Sequence, residues 1–143
     1  MQRVGQALVV LVVLAGLAGV FGGGGLAKSA AESGPTRIEY PRFLRAHSPV
    51  EIRLSISGNA EEAGTTLVAV DNAFFDVYGI EPISPAPEKQ TLGDNAIVYH
   101  FAHEAGARGP IILQVKATRM GLRSATITVG DQPAIRLRSF IFP

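Results

Sequence analysis

The pattern of apolar and polar positions changes once along the chain, close to residue 27. Val4–Phe21 is an apolar run whose only polar side chain is Gln6, and Gly22–Ala27 follows it. A helix over the run would extend for roughly 27 Å, close to the ~30 Å of bilayer hydrocarbon. Because the run has no polar face, it does not resemble a helix of a soluble protein. We therefore expect residues 1–27 to form an N-terminal transmembrane anchor.

A cleaved secretory signal is the competing interpretation of the same run. Arg3 supplies a positive N-terminal region, and Ala27-Lys28-Ser29 and Ser29-Ala30-Ala31 have the small-x-small spacing of cleavage sites. Apolar regions of signal peptides usually extend for about 7–15 residues, which is shorter than this run. The length favours a retained anchor, and both interpretations stay open.

Small residues recur at a spacing of four within and after the run. Ala15, Gly19 and Gly23 form one such series. This spacing lets transmembrane helices approach closely, so the series is a candidate helix-packing face. Short side chains are also common in anchors and signals, so the series alone does not establish a contact.

Beyond a linker expected over residues 28–36, the pattern alternates with a period of two. Val50–Ser57 is the clearest case, and several later runs repeat it. Such alternation predicts strands with one buried face. Seven or eight short strands separated by turns predict an all-β domain over residues 37–143, an immunoglobulin-like antiparallel β-sandwich of about seven strands. The strands after Val50–Ser57 are predicted at Thr65–Val70, Phe74–Tyr78, Ala96–Ala102, Ile111–Thr118, Ser124–Val129 and Ala134–Phe142.

Charge and cysteine content narrow the classes of function. The chain has 13 basic and 12 acidic residues, and without Arg3 and Lys28 the remainder has 11 and 12, a net charge near −1. The signs are interspersed along the chain, which argues against a nucleic-acid partner. The absence of cysteine excludes disulfides, Cys-based zinc sites and a lipoprotein anchor.

Several segments resemble a group of small, uncharacterised bacterial proteins with one N-terminal transmembrane helix and an Ig-like domain. The segments are Ser48–Leu54, Asp71–Phe75, Ile83–Pro87, Val98–Phe101 and the ending Ser139–Pro143. The resemblance implies a single-pass protein of the bacterial inner membrane, with its domain on the periplasmic or extracellular side. It also implies a multi-pass membrane protein as partner. It carries over no catalytic residue.

The polar clusters indicate no chemistry. His100, His103 and Glu104 would suit a metal only if the imidazoles converged, whereas residues three apart on a strand point to opposite faces. Asp71, Asn72 and Asp76 lack the spacing of a calcium loop and favour a turn. No nucleophile or phosphate-loop motif is present. We expect no enzymatic activity, no metal and no cofactor.

Exposed aromatic and arginine side chains are the remaining candidates. If Ile135, Leu137 and Ile141 face the core, the alternate residues of the last strand face outward, and Phe74–Tyr78 is apolar on both faces. Aromatic residues beside arginine are typical of protein interfaces. The candidate interface residues are Phe74, Phe75, Arg136, Arg138, Phe140 and Phe142.

The sequence as a whole therefore predicts a non-enzymatic, membrane-anchored accessory protein whose domain binds a protein partner. The alternative is a secreted or periplasmic ligand-binding module released by cleavage of the N-terminal run.

Overall fold

Two β-sheets and two helices make up the regular structure of the described chain. The computed structural model describes residues 2–17, 28–57, 63–106 and 109–143. The elements, in chain order, are α1 Gln2–Leu17, β1 Lys28–Ser33, β2 Thr36–Pro41, β3 Phe43–Arg45, β4 Pro49–Ile56, β5 Gly64–Asp71, α2 Asn72–Val77, β6 Tyr78–Ser84, β7 Lys89–Leu92, β8 Ala96–His103, β9 Ile111–Ala117, β10 Gly121–Val129 and β11 Ile135–Phe142.

The strands form a sandwich of one five-stranded and one six-stranded sheet. The strand orders are β1-β2-β4-β9-β6 and β3-β11-β10-β5-β8-β7. All pairs are antiparallel except β3 with β11, which is parallel. This confirms the predicted all-β sandwich. The predicted count of about seven strands is wrong, because the described residues contain eleven.

The core lies between the sheets and follows the period-two pattern. Residues of β9 alternate between buried and half-buried along the whole strand, and those of β11 alternate between buried and exposed. A period of two places every second side chain on the inner face. The fully buried aliphatic side chains include Ile38, Ile52, Leu54, Val68, Val70, Leu113, Val115, Ile127, Leu137 and Ile141.

A strand occupies most of the segment predicted as a linker over residues 28–36. β1 pairs antiparallel with β2 from Lys28 opposite Pro41 to Ser33 opposite Thr36. Gly34, with φ of +56°, lies in the turn between them, where a left-handed conformation suits glycine. The small polar residues of β1 show no apolar alternation, since β1 is an edge strand. Its pairing with β2, rather than burial of its own side chains, defines it.

A short helix replaces the aromatic strand predicted at Phe74–Tyr78. α2 begins after Asp71, whose side chain accepts a hydrogen bond from the Phe74 backbone N–H at 2.9 Å. Such N-caps satisfy backbone donors that the first helical turn leaves free. Phe74 and Val77, three residues apart, lie on one buried side of the helix. The chain then continues as β6, which lies at a sheet edge, where a strand tolerates a proline such as Pro82.

α1 has sixteen residues and covers the apolar run as far as Leu17. Each of its valines and leucines is more than half exposed. None of the helices in the described part of the chain is long and apolar enough to cross a membrane. The rest of the predicted anchor, including Gly19 and Gly23 of the candidate helix-packing face, lies outside the described residues, and Ala15 lies in α1.

Candidate functional site: an Arg–Phe face

β11 presents arginines and phenylalanines on the outer side of the six-stranded sheet. Its inward residues are buried, whereas Arg136, Arg138, Phe140 and Phe142 are all exposed. Phe140 is 45% exposed and Phe142 is 38% exposed. Successive outward side chains on a strand lie about 6.8 Å apart, so the four residues form a ladder roughly 20 Å long.

The strands on either side extend the apolar half of this ladder. Phe43 of β3 and Leu122 of β10 both lie directly opposite Phe140. Directly paired residues point to the same side of a sheet. Phe43 is 41% exposed and Leu122 is 72% exposed. An exposed apolar row thus crosses three adjacent strands. Neither Phe43 nor Leu122 was identifiable from sequence, because only the register brings them beside Phe140.

The basic half of the ladder has small neighbours. Arg138 lies opposite Ser124 and Arg136 lies opposite Thr126, so both guanidinium groups project above short hydroxyl side chains. On the other side of β11, Arg45 of β3 lies opposite Phe142. We call the set Phe43, Arg45, Leu122, Arg136, Arg138, Phe140 and Phe142 the Arg–Phe face.

The arginines of this face lack acidic partners within the described residues. The strands β3, β10 and β11 contain no Asp or Glu. None of Arg45, Arg136 and Arg138 takes part in an ion pair in the described ranges. The register places the Asp71 backbone two strands away, and the Asp71 side chain is occupied by hydrogen bonds to the Phe74 and Thr126 backbone N–H groups. Among the described residues, the arginines of this face therefore form no ion pair.

Phe74 and Phe75 do not belong to this face, which corrects the prediction that both contribute to an interface. Phe74 is fully buried. Its ring meets Phe75 edge-on with centroids 5.9 Å apart and lies 4.9 Å from Tyr78. Phe75 is half-buried against the core. The N-cap at Asp71 turns this segment into a helix, and the helix directs Phe74 inward.

A cavity between the sheets is the second feature of interest. Its volume is about 260 Å³, and it lies where β4 ends and β9 begins. His103 faces it, and the His103 Nδ1 is buried with no hydrogen-bond partner among the described residues. The residues that line the cavity include Ile56, Thr66, Phe101, His103, Glu104 and Ile111.

His100 and His103 lie on opposite sides of β8. His100 Nε2 is 3.1 Å from Thr91 Oγ1 of the neighbouring strand, on the outer side of the sheet. His103 faces the cavity on the inner side. The two imidazoles therefore do not converge on a common point, and no group of three metal-ligating side chains occurs within the described ranges.

Comparison with known proteins extends to the fold and no further. No protein-family model matches the chain, and no curated protein matches it in sequence. A cohesin module from a Clostridium perfringens family 33 glycoside hydrolase is similar in structure, with a TM-score of 0.53 and 11% identity, over 75% of this chain and 95% of that one. At this identity the likeness concerns the fold alone.

Two further solved structures are similar at lower scores. A superoxide reductase (neelaredoxin) from Ignicoccus hospitalis has a TM-score of 0.43 and 16% identity, over 76% of this chain and 81% of that one. A type I cohesin–dockerin complex from Clostridium thermocellum has a TM-score of 0.41 and 13% identity, over 70% of this chain and 82% of that one.

Proposed function

We propose that this protein is a non-enzymatic, membrane-anchored accessory protein whose β-sandwich binds a protein partner through the Arg–Phe face. The observation that carries the proposal is the exposed row Phe43, Phe140 and Leu122 beside arginines that have no acidic partner in the described residues. Phenylalanine and arginine are enriched at protein interfaces relative to the rest of the surface. A face with this composition is costly to leave in water and suits a partner that covers it.

The N-terminal run supports the membrane part of the proposal. The valines and leucines of α1 are exposed around the helix, and in water nothing in the described chain covers them. Lipid would cover such a surface, since it is as apolar as the side chains themselves. We place the sandwich on the periplasmic or extracellular side of a bacterial inner membrane, consistent with the family resemblance, and a multi-pass membrane protein is the partner that this location favours.

Intact mass and extraction test the anchor. The protein purified from membranes should retain residue 1 and should stay in the membrane pellet after alkaline carbonate treatment. A mature protein that begins near residue 30 and appears in the soluble fraction would contradict the anchor. It would favour the released, ligand-binding alternative, and the Arg–Phe face would still be testable.

Site-specific photocrosslinking tests the binding face. A benzoylphenylalanine in place of Phe140 of the full chain should crosslink to one protein in native membranes. The matched control replaces Leu92, which is 80% exposed on β7 at the opposite edge of the same sheet. Adducts at Leu92 equal to those at Phe140, or no protein adduct at Phe140, would contradict the proposal.

The cavity supports a second candidate function, a module that binds a small ligand. Its volume of about 260 Å³ is just below the ~300–1,000 Å³ of typical ligand pockets. The His103 Nδ1 has no hydrogen-bond partner in the described part of the chain, and it is a polar group that a ligand would satisfy. A thermal-shift screen with small carboxylic acids tests this function. A shift that His103→Ala removes supports it, and no shift from any acid contradicts it.

A further inference from the structure

We infer that the partner of the Arg–Phe face presents carboxylates beside apolar side chains, in an order that matches the ladder along β11. This inference rests on the proposed protein-binding function and adds the chemistry of the partner. Its basis is the contrast in ion pairing between the two outer faces of the sandwich, together with the change from arginine to phenylalanine along the outward positions of β11.

The outer face of the five-stranded sheet neutralises its own arginines. Arg37 pairs with Glu32 at 2.9 Å and with Glu39 at 3.3 Å, and Arg53 lies 3.6 Å from Glu51. These are the only arginines on its strands. On this outer face, each arginine therefore has a glutamate beside it.

The Arg–Phe face lacks this internal pairing. Arg45, Arg136 and Arg138 have no carboxylate among their strand neighbours. Arg136 and Arg138 occupy adjacent outward positions of β11, so their two positive charges repel each other, and an external carboxylate relieves that repulsion while forming charge-assisted hydrogen bonds. Electrostatic complementarity of this kind selects partners and sets their register.

The outward side chains of β11 change from basic to apolar along the strand. Along β11 itself, Arg136 and Arg138 occupy the first half and Phe140 and Phe142 the second half. Phe43 and Leu122 widen the apolar half, and Arg45 of β3 lies beside Phe142 at its end. A complementary surface therefore carries its acidic side chains within about 7–14 Å of its apolar ones, at the strand spacing of ~6.8 Å for alternate residues. An extended segment with acidic residues followed or preceded by apolar residues meets this requirement.

Other occupants fit less well. A second copy of the chain, related by two-fold symmetry, would bring six arginines into one interface without a carboxylate from these strands. Anionic lipid surfaces are recognised by clusters of about 4–8 basic residues, more than this face holds. Nucleic acid requires a broader basic surface than three arginines provide.

Selection from a random-sequence peptide library tests the inference. The full chain in phosphatidylcholine nanodiscs is the bait, and the library is displayed on phage. We expect the enriched peptides to combine Asp or Glu with neighbouring Leu, Ile or Phe. Affinity for a synthetic copy of the best peptide should fall at least about tenfold in the double variant Arg136→Glu, Arg138→Glu, because reversal places like charges opposite one another. It should also fall as ionic strength rises.

The double variant Lys89→Glu, Lys116→Glu is the matched control. It changes the net charge by the same amount on strands outside the face and should bind the peptide as the unmodified chain does. Circular dichroism and melting confirm that both double variants are folded. Equal weakening in both variants would overturn the inference, because it would report net charge and not the face.

The remaining outcomes separate this inference from the proposed function. Enriched peptides with no acidic excess, whose binding is lost in Phe43→Ala, Phe140→Ala, would overturn the acidic partner and leave the binding face intact. Failure to enrich any peptide, with binding to phosphatidylglycerol vesicles that the arginine reversal abolishes, would overturn both in favour of a lipid surface. Failure to bind either peptides or vesicles would also overturn both.

Discussion

At the scale of single residues, two phenylalanines of similar appearance in the sequence have opposite positions. Phe74 is fully buried and contacts Phe75 and Tyr78, whereas Phe140 is 45% exposed on the Arg–Phe face. Both were predicted from the sequence to belong to an interface. Because only Phe74 fills space in the core, only its removal should leave a cavity.

We therefore expect Phe74→Ala to lower the free energy of unfolding by about 3–5 kcal/mol, the usual cost of truncating a buried phenylalanine. The free energy is measured by urea unfolding followed by circular dichroism. Phe140→Ala is the control and should change it by less than about 0.5 kcal/mol, as surface substitutions usually do. A large loss in the Phe140 variant would mean that its ring stabilises the fold, and would weaken the case for a binding role.

The difference between these residues shows what alternation can predict. The sequence of β11 alternates from Ile135 to Arg138, and continuing that period predicted the outward direction of Phe140 and Phe142, with Ser139 at an inward position. The segment from Phe74 to Tyr78 has apolar residues at four of its five positions, so a period of two assigns no inner side. Phe43 and Leu122 are isolated in sequence, and pairing across strands alone places them beside Phe140.

At the scale of secondary-structure elements, Asp71 determines where β5 ends and α2 begins. Its Oδ1 accepts hydrogen bonds from the Phe74 N–H at 2.9 Å and from the Thr126 N–H of β10 at 3.2 Å. One carboxylate thus caps the helix and connects it to a strand 55 residues away. Asp71 and Asn72 favour a turn in the sequence, which is correct for the change of direction but misses the helix that the cap starts.

We expect Asp71→Ala to lower the free energy of unfolding by about 1–3 kcal/mol, because it removes the cap and leaves two backbone donors without their acceptor. Asp71→Asn keeps an oxygen acceptor at the same place and should recover most of the loss. Asp76→Ala, on the exposed side of α2, is the control and should have little effect. Chemical denaturation measures all three variants. An Asp71→Ala protein as stable as the unmodified one would show that the two hydrogen bonds contribute nothing.

Edge strands were the elements that the sequence predicted least well. β1, β3, β6 and β7 all lie at or next to open edges of their sheets and have little apolar alternation of their own. Central strands such as β4 and β9 bury a full face, so their sequences carry the pattern that predicts them. An edge strand is defined mainly by the backbone of its neighbour, which a single sequence does not reveal.

At the scale of the whole molecule, the fold separates charges that the sequence intersperses. Basic and acidic residues alternate along the chain, and the domain is close to neutral. The sandwich nevertheless gathers Arg37 and Arg53 with glutamates on one sheet and leaves Arg45, Arg136 and Arg138 unpaired, among the described residues, on the other. Basic and acidic residues are mixed along the sequence, but the order of strands in each sheet determines which of them become neighbours at the surface.

The packing of the two sheets also predicts how stability depends on pH. Burial, the largest cause, raises the pKa of Tyr78, and the nearby Tyr40 adds to the rise while a hydrogen bond with Ser139 opposes it. Burial also raises the pKa of Tyr99. In the unfolded chain both phenols titrate near a pKa of ~10. Their neutral forms therefore stabilise the fold below about pH 10, and this stability is lost as pH rises through the higher folded pKa values.

We expect the urea midpoint of the unmodified protein to fall steeply above about pH 10. The midpoint of the double variant Tyr78→Phe, Tyr99→Phe should fall less, because this variant has no phenol to ionise at these core positions. The two proteins share every lysine, so ordinary alkaline titration of the surface cancels in the comparison. Phenolate absorbance measured in the same samples should appear together with unfolding. Two outcomes would contradict this prediction: a parallel loss of stability in the two proteins, or a full rise of phenolate absorbance while the fold remains intact. Either would mean that the core between the sheets admits a charged phenolate.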